Sequence, residues 1–185
     1  MSTQPEKLLT DDHSKLNELL DPVVAALQDG NNRQTFDRLD YFWARLALHI
    51  RAEHLHLFPA LLRSIRSGKG ALKERIPSVD SIGEVIGQLR DDHDYFMKEL
   101  GGSIRQLRVL IANDETVESS QWVRITKTLE DVRVRLRAHN ELEETEIYPL
   151  VNLILEPAKE IALNLQIKKE LENLPARFVG TNTGL

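Results

Sequence analysis

Two stretches of this chain resemble each other, "HIRAEHLHLFPAL" at residues 49–61 and "HNELEETEIYPLV" at residues 139–151. Each contains a histidine, a glutamate four residues later, and an aromatic residue followed by proline. A shorter pair precedes them, since "LTDDH" ending at His13 returns as "LRDDH" ending at His93. The second half of the chain therefore repeats the first, which predicts two helical hairpins of one design.

The spacing of apolar residues predicts helices along the whole chain. Apolar residues recur every three or four positions, and the alternating pattern of strands is missing. One inward seam of the fourth predicted helix contains Trp122, Ile125, Leu129, Val132, Leu136, His139, Glu143 and Glu146. The other helices are predicted from Thr10 to before Gly30, Arg33 to Leu57, Ser78 to Asn113, and Pro157 to Glu172. Pro59 is expected to bend or end the second helix.

We therefore expect an all-α fold, an up-down-up-down four-helix bundle with a short extra C-terminal helix. The bundle domain is expected at residues 1–155, with a connection between its hairpins at Gly68 and Gly70. Residues 156–185 are expected to form the extra helix and a flexible tail.

Composition narrows the classes of function. The 185 residues suit a single domain, and 41% hydrophobic with 29% charged residues is ordinary for a globular protein. The chain has no cysteine, so any metal must be held by nitrogen and oxygen. A net charge of -5 with mixed signs gives no basic stripe for nucleic acid and no polybasic membrane patch. The polar N-terminal residues lack the apolar region of a signal peptide, so a cytoplasmic protein is expected.

The histidines and glutamates of the repeats are predicted to meet in one layer. We counted the residues between each histidine and the turn that joins its two helices, at a rise of about 1.5 Å per residue. His13 then lies level with His49, and His93 with His139, to within about 3 Å along the helix axes. Buried charges without partners are costly, whereas two cations about 3.5 to 4 Å apart would give every donor a partner. The sequence thus favours a dinuclear metal site. The alternative is a set of ordinary core histidines and i,i+4 pairs.

These residues resemble the hemerythrin-like family, the HHE cation-binding domains, over about Leu8 to Leu155. The resemblance also includes the closing "LFP" and "IYP" of the two repeats. The resemblance implies a non-heme di-iron centre that binds or reacts with dioxygen, nitric oxide or peroxide. Transferred residue by residue, it makes the four histidines terminal ligands and the two glutamates bridges: His13, His49, Glu53, His93, His139 and Glu143.

Two departures separate the chain from the oxygen-carrying members of that family. Oxygen carriers have a further histidine where this chain has Met97, and a His-x-x-x-x-Asp where it has His139-x-x-x-Glu143. The pattern is closer to the four-histidine, two-glutamate relatives associated with nitrosative stress, iron-centre repair and iron handling. Two iron ions are the expected cofactors, and manganese or zinc are the alternatives because the same ligands accept them. Heme between helices is a weaker alternative.

Residues around the predicted ligands need separate assignment. His56 and Glu146 lie on the inward seams in corresponding positions, so we expect them to support the ligands from outside or to form an ion pair with each other. Met97 is expected in a supporting position as well. Direct ligation by His56 is the alternative. His54 is expected to face a neighbouring helix or solvent. Asp12 and Asp92 lie one residue off the seam, and we expect them on solvated faces; the alternative is that they support the ligands from outside.

The expected function is binding of, or reaction with, a small oxygen or nitrogen species in stress response or iron handling. The alternative is a metal-stabilised sensory or interaction module that reports iron or oxygen status to a protein partner. The sequence does not decide whether the protein is an enzyme.

Overall fold

The computed structural model describes residues 4–67, 77–113 and 120–178 of the chain, and every regular element in these ranges is helical. Two of the long helices are interrupted by a single π turn and then continue. The helices are α1 (Pro5–Gln28), α2 (Asn32–Ala52), α3 (Phe58–Ser67), α4 (Val79–Ala112), α5 (Ser120–Leu142), α6 (Pro149–Ile154) and α7 (Pro157–Leu171). The π turns are Glu53–Leu57, between α2 and α3, and Glu143–Ile147, between α5 and α6. A short 3₁₀ turn, Ala176–Phe178, follows α7.

Local sequence explains most of the helix ends. The Ser78 side chain accepts a hydrogen bond from the Ser81 amide at 3.1 Å, which makes it the predicted N-cap of α4. Gly30 has φ of 70°, a conformation that favours glycine, and it separates α1 from α2. The predicted start of α1 at Thr10 is wrong, because the helix begins at Pro5, whose fixed φ suits a first turn.

The two π turns occupy equivalent places in the repeats and begin at the glutamates of the His-x-x-x-Glu pairs. Each closes with a bond over five residues, from the Phe58 amide to the Glu53 carbonyl and from the Tyr148 amide to the Glu143 carbonyl. The sequence predicts that Pro59 bends or ends the second helix, and the prediction that the helical path ends there is wrong. Pro59 is the second residue of α3, and the helical path continues through it to Ser67.

The four long helical segments form a bundle, as predicted. α1 packs against α2, α2 against α4, and α4 against α5, while α5 returns to contact α1. α7 packs against α2 and α1 on the outside of this bundle. None of the described helices is both long and apolar enough to cross a membrane.

The apolar core is divided into two clusters by a layer of buried polar residues. One cluster fills the end of the bundle near Gly30 and includes Leu20, Phe42, Leu100 and Leu129. The other includes Leu57, Phe58, Ile86 and Ile147 with the inner face of α7. The boundary between a domain at residues 1–155 and an appendage at residues 156–185 stays a prediction. The connection at Gly68 and Gly70, and residues 179–185 of the tail, lie outside the described residues.

Candidate metal centre

Six buried side chains between the two apolar clusters form two overlapping groups that could each hold a metal ion. We call them site A and site B. Site A consists of His13, His49, Glu53 and Glu143, and site B consists of His93, His139, Glu53 and Glu143. Both glutamates belong to both sites. The structure therefore brings together all six residues that the sequence predicts as ligands, and each of them is at most 3% exposed.

The imidazoles of each site face one another through their Nε2 atoms. The distance between these atoms is 3.0 Å for His13 and His49 in site A, and 2.9 Å for His93 and His139 in site B. Two donor atoms about 2.1 Å from one ion, at right angles to each other, are separated by about 3 Å. Both imidazole pairs therefore have the spacing of two ligands to a single ion.

Each glutamate directs one carboxylate oxygen toward each site. Glu53 Oε1 lies 3.5 Å from Nε2 of His49 in site A, and Oε2 lies 3.3 Å from Nε2 of His93 in site B. Glu143 Oε2 lies 3.1 Å from Nε2 of His13, and Oε1 lies 3.1 Å from Nε2 of His139. A carboxylate in this position can bridge two cations.

The outer nitrogen of every imidazole has its own hydrogen-bonding partner on another part of the chain. Three of the four partners are carboxylates and the fourth is an imidazole. The pairs are His49 Nδ1 with Asp12 at 3.1 Å, His139 Nδ1 with Asp92 at 3.2 Å, His13 Nδ1 with Glu144 at 2.7 Å, and His93 Nδ1 with His54 Nε2 at 2.8 Å. A proton on Nδ1 leaves the Nε2 lone pair free to face the centre, which is the tautomer that binds a metal through Nε2.

Asp12 and Asp92 are in turn held by arginines. An Arg45 guanidinium nitrogen lies 2.6 Å from Asp12 Oδ1, and an Arg135 guanidinium nitrogen lies 2.6 Å from Asp92 Oδ1. The Arg45 side chain is 12% exposed and also donates to the Leu171 carbonyl of α7, whereas that of Arg135 is 44% exposed. The same arginine–aspartate–histidine arrangement thus occurs twice, once under α7 and once near solvent.

Opposite charges on the protein side chains dominate the electrostatics of the centre. Burial alone would raise the pKa of Glu53, but the neighbouring His49 and His93 imidazoles lower it well below its ordinary value. Burial and the charge of Glu53 act to raise the pKa of Glu143, but hydrogen bonds from its histidines lower it. Burial alone would lower the pKa of His49, whereas the charge of Glu53 raises it well above its ordinary value. The raised pKa of His49 and the lowered pKa values of both glutamates favour an imidazolium beside the carboxylates, a positive charge that bound cations could supply instead.

Two carboxylate oxygens lack a hydrogen-bond donor when the imidazole protons are on Nδ1. Glu53 Oε2 and Glu143 Oε1 are buried, and the described groups beside them are Nε2 of His93 at 3.3 Å and Nε2 of His139 at 3.1 Å, which then present lone pairs and donate no hydrogen bond. A buried carboxylate oxygen without a donor is costly unless a cation lies beside it. The donor set, its spacing and these two oxygens fit a pair of divalent or trivalent cations.

A tyrosine hydroxyl enters the same layer. The Tyr148 hydroxyl donates to Glu53 Oε1 at 2.8 Å and lies 3.2 Å from Glu143 Oε2 and 3.1 Å from His13 Nε2. Its ring is 2% exposed. Burial, with the charges of the two glutamates, raises the pKa of Tyr148 well above its ordinary value, so the metal-free protein holds it as a neutral phenol.

Two residues expected near the centre, His56 and Glu146, are not brought to it, and the third, Met97, lies on the apolar side of the layer. His56 is half-buried and lies beside α7, with Nε2 4.0 Å from Glu170 Oε2. Glu146 is exposed, and Met97 packs against the apolar cluster that contains Phe42. The seam positions of His56 and Glu146 were predicted from a regular α-helical period, and each residue lies inside a π turn, where that period does not hold.

Four residues near the centre were missed or placed elsewhere by the predictions from sequence. The solvated-face prediction for Asp12 and Asp92 is wrong, because both are buried against histidines, which is the supporting position given as the alternative. His54 faces a neighbouring helix, α4, which was one of the two positions expected for it. Glu144 and Tyr148 occupy the positions of His54 and Phe58 in the aligned repeats, but neither was predicted at the centre. The repeated "DDH" and the aromatic–proline pair were the signals that could have identified three of these four.

Comparison with known proteins agrees with this geometry. The family model described as the hemerythrin HHE cation binding domain matches residues 4–151, which is most of the chain and includes all six residues of sites A and B. No curated protein and no solved structure matches the chain. The chain therefore belongs to the hemerythrin family of HHE cation-binding domains.

Proposed function

We propose that this chain is a non-heme di-iron protein that binds or reacts with a small oxygen or nitrogen species, namely dioxygen, nitric oxide or peroxide. The observation that carries the proposal is the pair of buried four-residue groups that share both glutamates. Two cations held this way would be close together, and each would have two imidazoles of its own. The choice of iron rests on the family resemblance, because manganese and zinc accept the same ligands.

The residues of the chain would have distinct roles in such a centre. The four imidazoles and two carboxylates would hold the ions, and Asp12, Asp92 and Glu144 would orient the imidazoles and increase their basicity. The apolar clusters on both sides of the layer exclude bulk water from it. A bound iron pair supplies reversible ligand binding and electron transfer, which the protein side chains lack.

Stress response or iron handling is the setting we propose, in the cytoplasm. The support is the ligand pattern, with four histidines, two glutamates and a methionine, Met97, where oxygen carriers have a fifth histidine. Fewer protein ligands leave more positions for a small molecule. A centre with open positions suits chemistry with nitric oxide or peroxide as well as dioxygen.

Metal content and ligand binding test this proposal together. Protein purified under iron-replete conditions is expected to contain two irons per chain and to absorb in the near ultraviolet as an oxo-bridged ferric pair. Azide and nitric oxide are expected to change that spectrum. A stoichiometry of zero or one in carefully metallated protein would contradict the dinuclear proposal, and spectra unchanged by saturating azide and nitric oxide would indicate a closed, structural site.

A sensory or interaction module is the second candidate, and one contact favours it. Arg45 joins Asp12, which holds a histidine of site A, to the Leu171 carbonyl in α7. A change at site A could therefore alter the packing of α7, on the outside of the bundle. Hydrogen exchange of α7 amides in the iron-loaded and metal-free full chain tests this candidate. Exchange in α7 that is unchanged by metal, while exchange in α2 slows, would contradict it.

A further inference from the structure

The two repeats place different aromatic residues at equivalent positions beside the centre. Phe58 follows Glu53 by five residues, and Tyr148 follows Glu143 by five, each directly after a π turn. Both are almost completely buried, at 0% and 2% exposure. Phe58 lies against site B, with its ring stacked on that of His93 at a centroid distance of 6.3 Å. Tyr148 lies against site A, with its ring stacked on that of His13 at 5.5 Å.

The position of the Tyr148 hydroxyl is more specific than packing requires. It lies 2.8, 3.1 and 3.2 Å from three atoms that belong to site A, respectively Glu53 Oε1, His13 Nε2 and Glu143 Oε2. Ligand atoms at right angles around one ion are about 3 Å apart when each is about 2.1 Å from it. The hydroxyl oxygen therefore has the spacing of one more ligand next to three others.

Site B has no such oxygen from the corresponding residue, because phenylalanine ends in a carbon. The chain thus offers site A two imidazoles, two carboxylate oxygens and a phenol oxygen, and site B two imidazoles and two carboxylate oxygens. Iron commonly accepts up to six donors, so the site with fewer protein donors keeps more positions for an added molecule.

We propose that Tyr148 is a fifth protein ligand of site A, bound as a phenolate whose proton is released to solvent when the cation binds, and that the small exogenous ligand therefore binds at site B. This inference rests on the proposed function and specifies which of the two ions reacts. The competing interpretation is that the hydroxyl only donates a hydrogen bond to Glu53 and leaves site A as open as site B.

The iron-loaded full chain distinguishes these interpretations by spectroscopy. Ferric iron bound to a tyrosine oxygen absorbs visible light by charge transfer, and excitation in that band enhances the ring vibrations of the bound tyrosine in the Raman spectrum. We expect this band in the unaltered protein, its loss in Tyr148→Phe, and its retention in the control Tyr41→Phe, whose ring lies against Phe178 far along α2. The absence of enhanced tyrosine vibrations in the unaltered protein would overturn the inference without any variant.

Azide binding gives an independent measurement of which site is open. We expect one azide per chain in the unaltered protein and in Tyr41→Phe. Tyr148→Phe should bind a second azide, with an affinity that differs from that of the first by at least tenfold. Equal azide stoichiometry in the unaltered protein and Tyr148→Phe would overturn the inference. If both proteins contain two irons and bind azide in that case, the proposed function stands; fewer than two irons in the unaltered protein would overturn both.

Discussion

Replacing the outer aspartates by asparagine tests whether the two halves of the centre are held in the same way. Asp12→Asn and Asp92→Asn preserve side-chain volume but remove the charge and one acceptor from a hydrogen bond of 3.1 or 3.2 Å to a metal-site histidine. Loss of such an outer partner weakens metal binding by about 10- to 100-fold, or about 1.4 to 2.7 kcal/mol. We therefore expect each variant to lose this affinity at its own site, A for Asp12 and B for Asp92.

The two variants should differ in the stability of the metal-free protein. Arg45 is 12% exposed, so Asp12→Asn leaves a nearly buried guanidinium without its carboxylate, and breaking a buried pair costs up to about 3 to 5 kcal/mol. Arg135 is 44% exposed and can turn to water, so the lost Arg135 pair in Asp92→Asn should cost about 1 kcal/mol or less. The electrostatic cost thus depends on α7, which covers only the first arginine.

Two measurements and one control complete this test. Competition with a chelator for Zn²⁺ gives the affinities of the two sites, and urea unfolding of the metal-free protein gives the free energies. Asp21→Asn is the control, because Asp21 pairs with Arg133 at the surface and should change neither quantity measurably. An affinity loss below twofold in both aspartate variants, or equal losses of stability, would show that these arginine–aspartate–histidine chains do not support the centre.

Three other predictions concern the ligands and pH. Glu53→Ala should remove most of the metal, as measured by elemental analysis, because it removes an oxygen from each site, whereas His56→Ala should retain both ions. His54→Ala should weaken metal binding by about 10- to 100-fold in a chelator titration, because it removes the outer hydrogen-bonding partner of His93 in site B. A loss of affinity smaller than that of His56→Ala would show that the hydrogen bond between His54 and His93 does not support site B. The folded-state pKa of both His49 and His139 is raised above 6.5, so their stabilisation of the metal-free protein is complete below that pH and is lost as pH rises through the raised pKa. Urea midpoints of the metal-free protein should therefore fall as the pH rises above about 6.5 and through the raised pKa values, while metal affinity rises, and a flat metal-free profile would contradict these shifts.

The sequence predicted the parts of the molecule that depend on regular helical geometry. The three-four spacing of apolar residues is preserved from α1 to α5, so the bundle and the meeting of His13, His49, His93 and His139 followed from it. The cap at Ser78 also followed, because the interaction is local.

The parts that depend on neighbouring helices could not be predicted in the same way. Asp12 lies one position from the seam, a place that is usually solvated, and its burial requires Arg45 from α2 and the cover of α7. The predicted positions of His56 and Glu146 are wrong for a different reason. Nothing in the composition of residues 53–57 or 143–147 marks a turn that closes over five residues instead of four.

The paired π turns limit how the His-x-x-x-Glu motif can be transplanted into a designed bundle. Copying the four-residue spacing onto an ideal α-helix would reproduce the inner ligands, but the residues after the glutamate would point in other directions. Deleting one residue from the turn at Glu53–Leu57 would rotate α3 by about 100° relative to α2, which would turn Phe58 and Leu61 away from their apolar cluster. A designer who wants the Tyr148 hydroxyl in the layer and Glu144 on the outer nitrogen of His13 must therefore graft the distorted backbone together with the ligands.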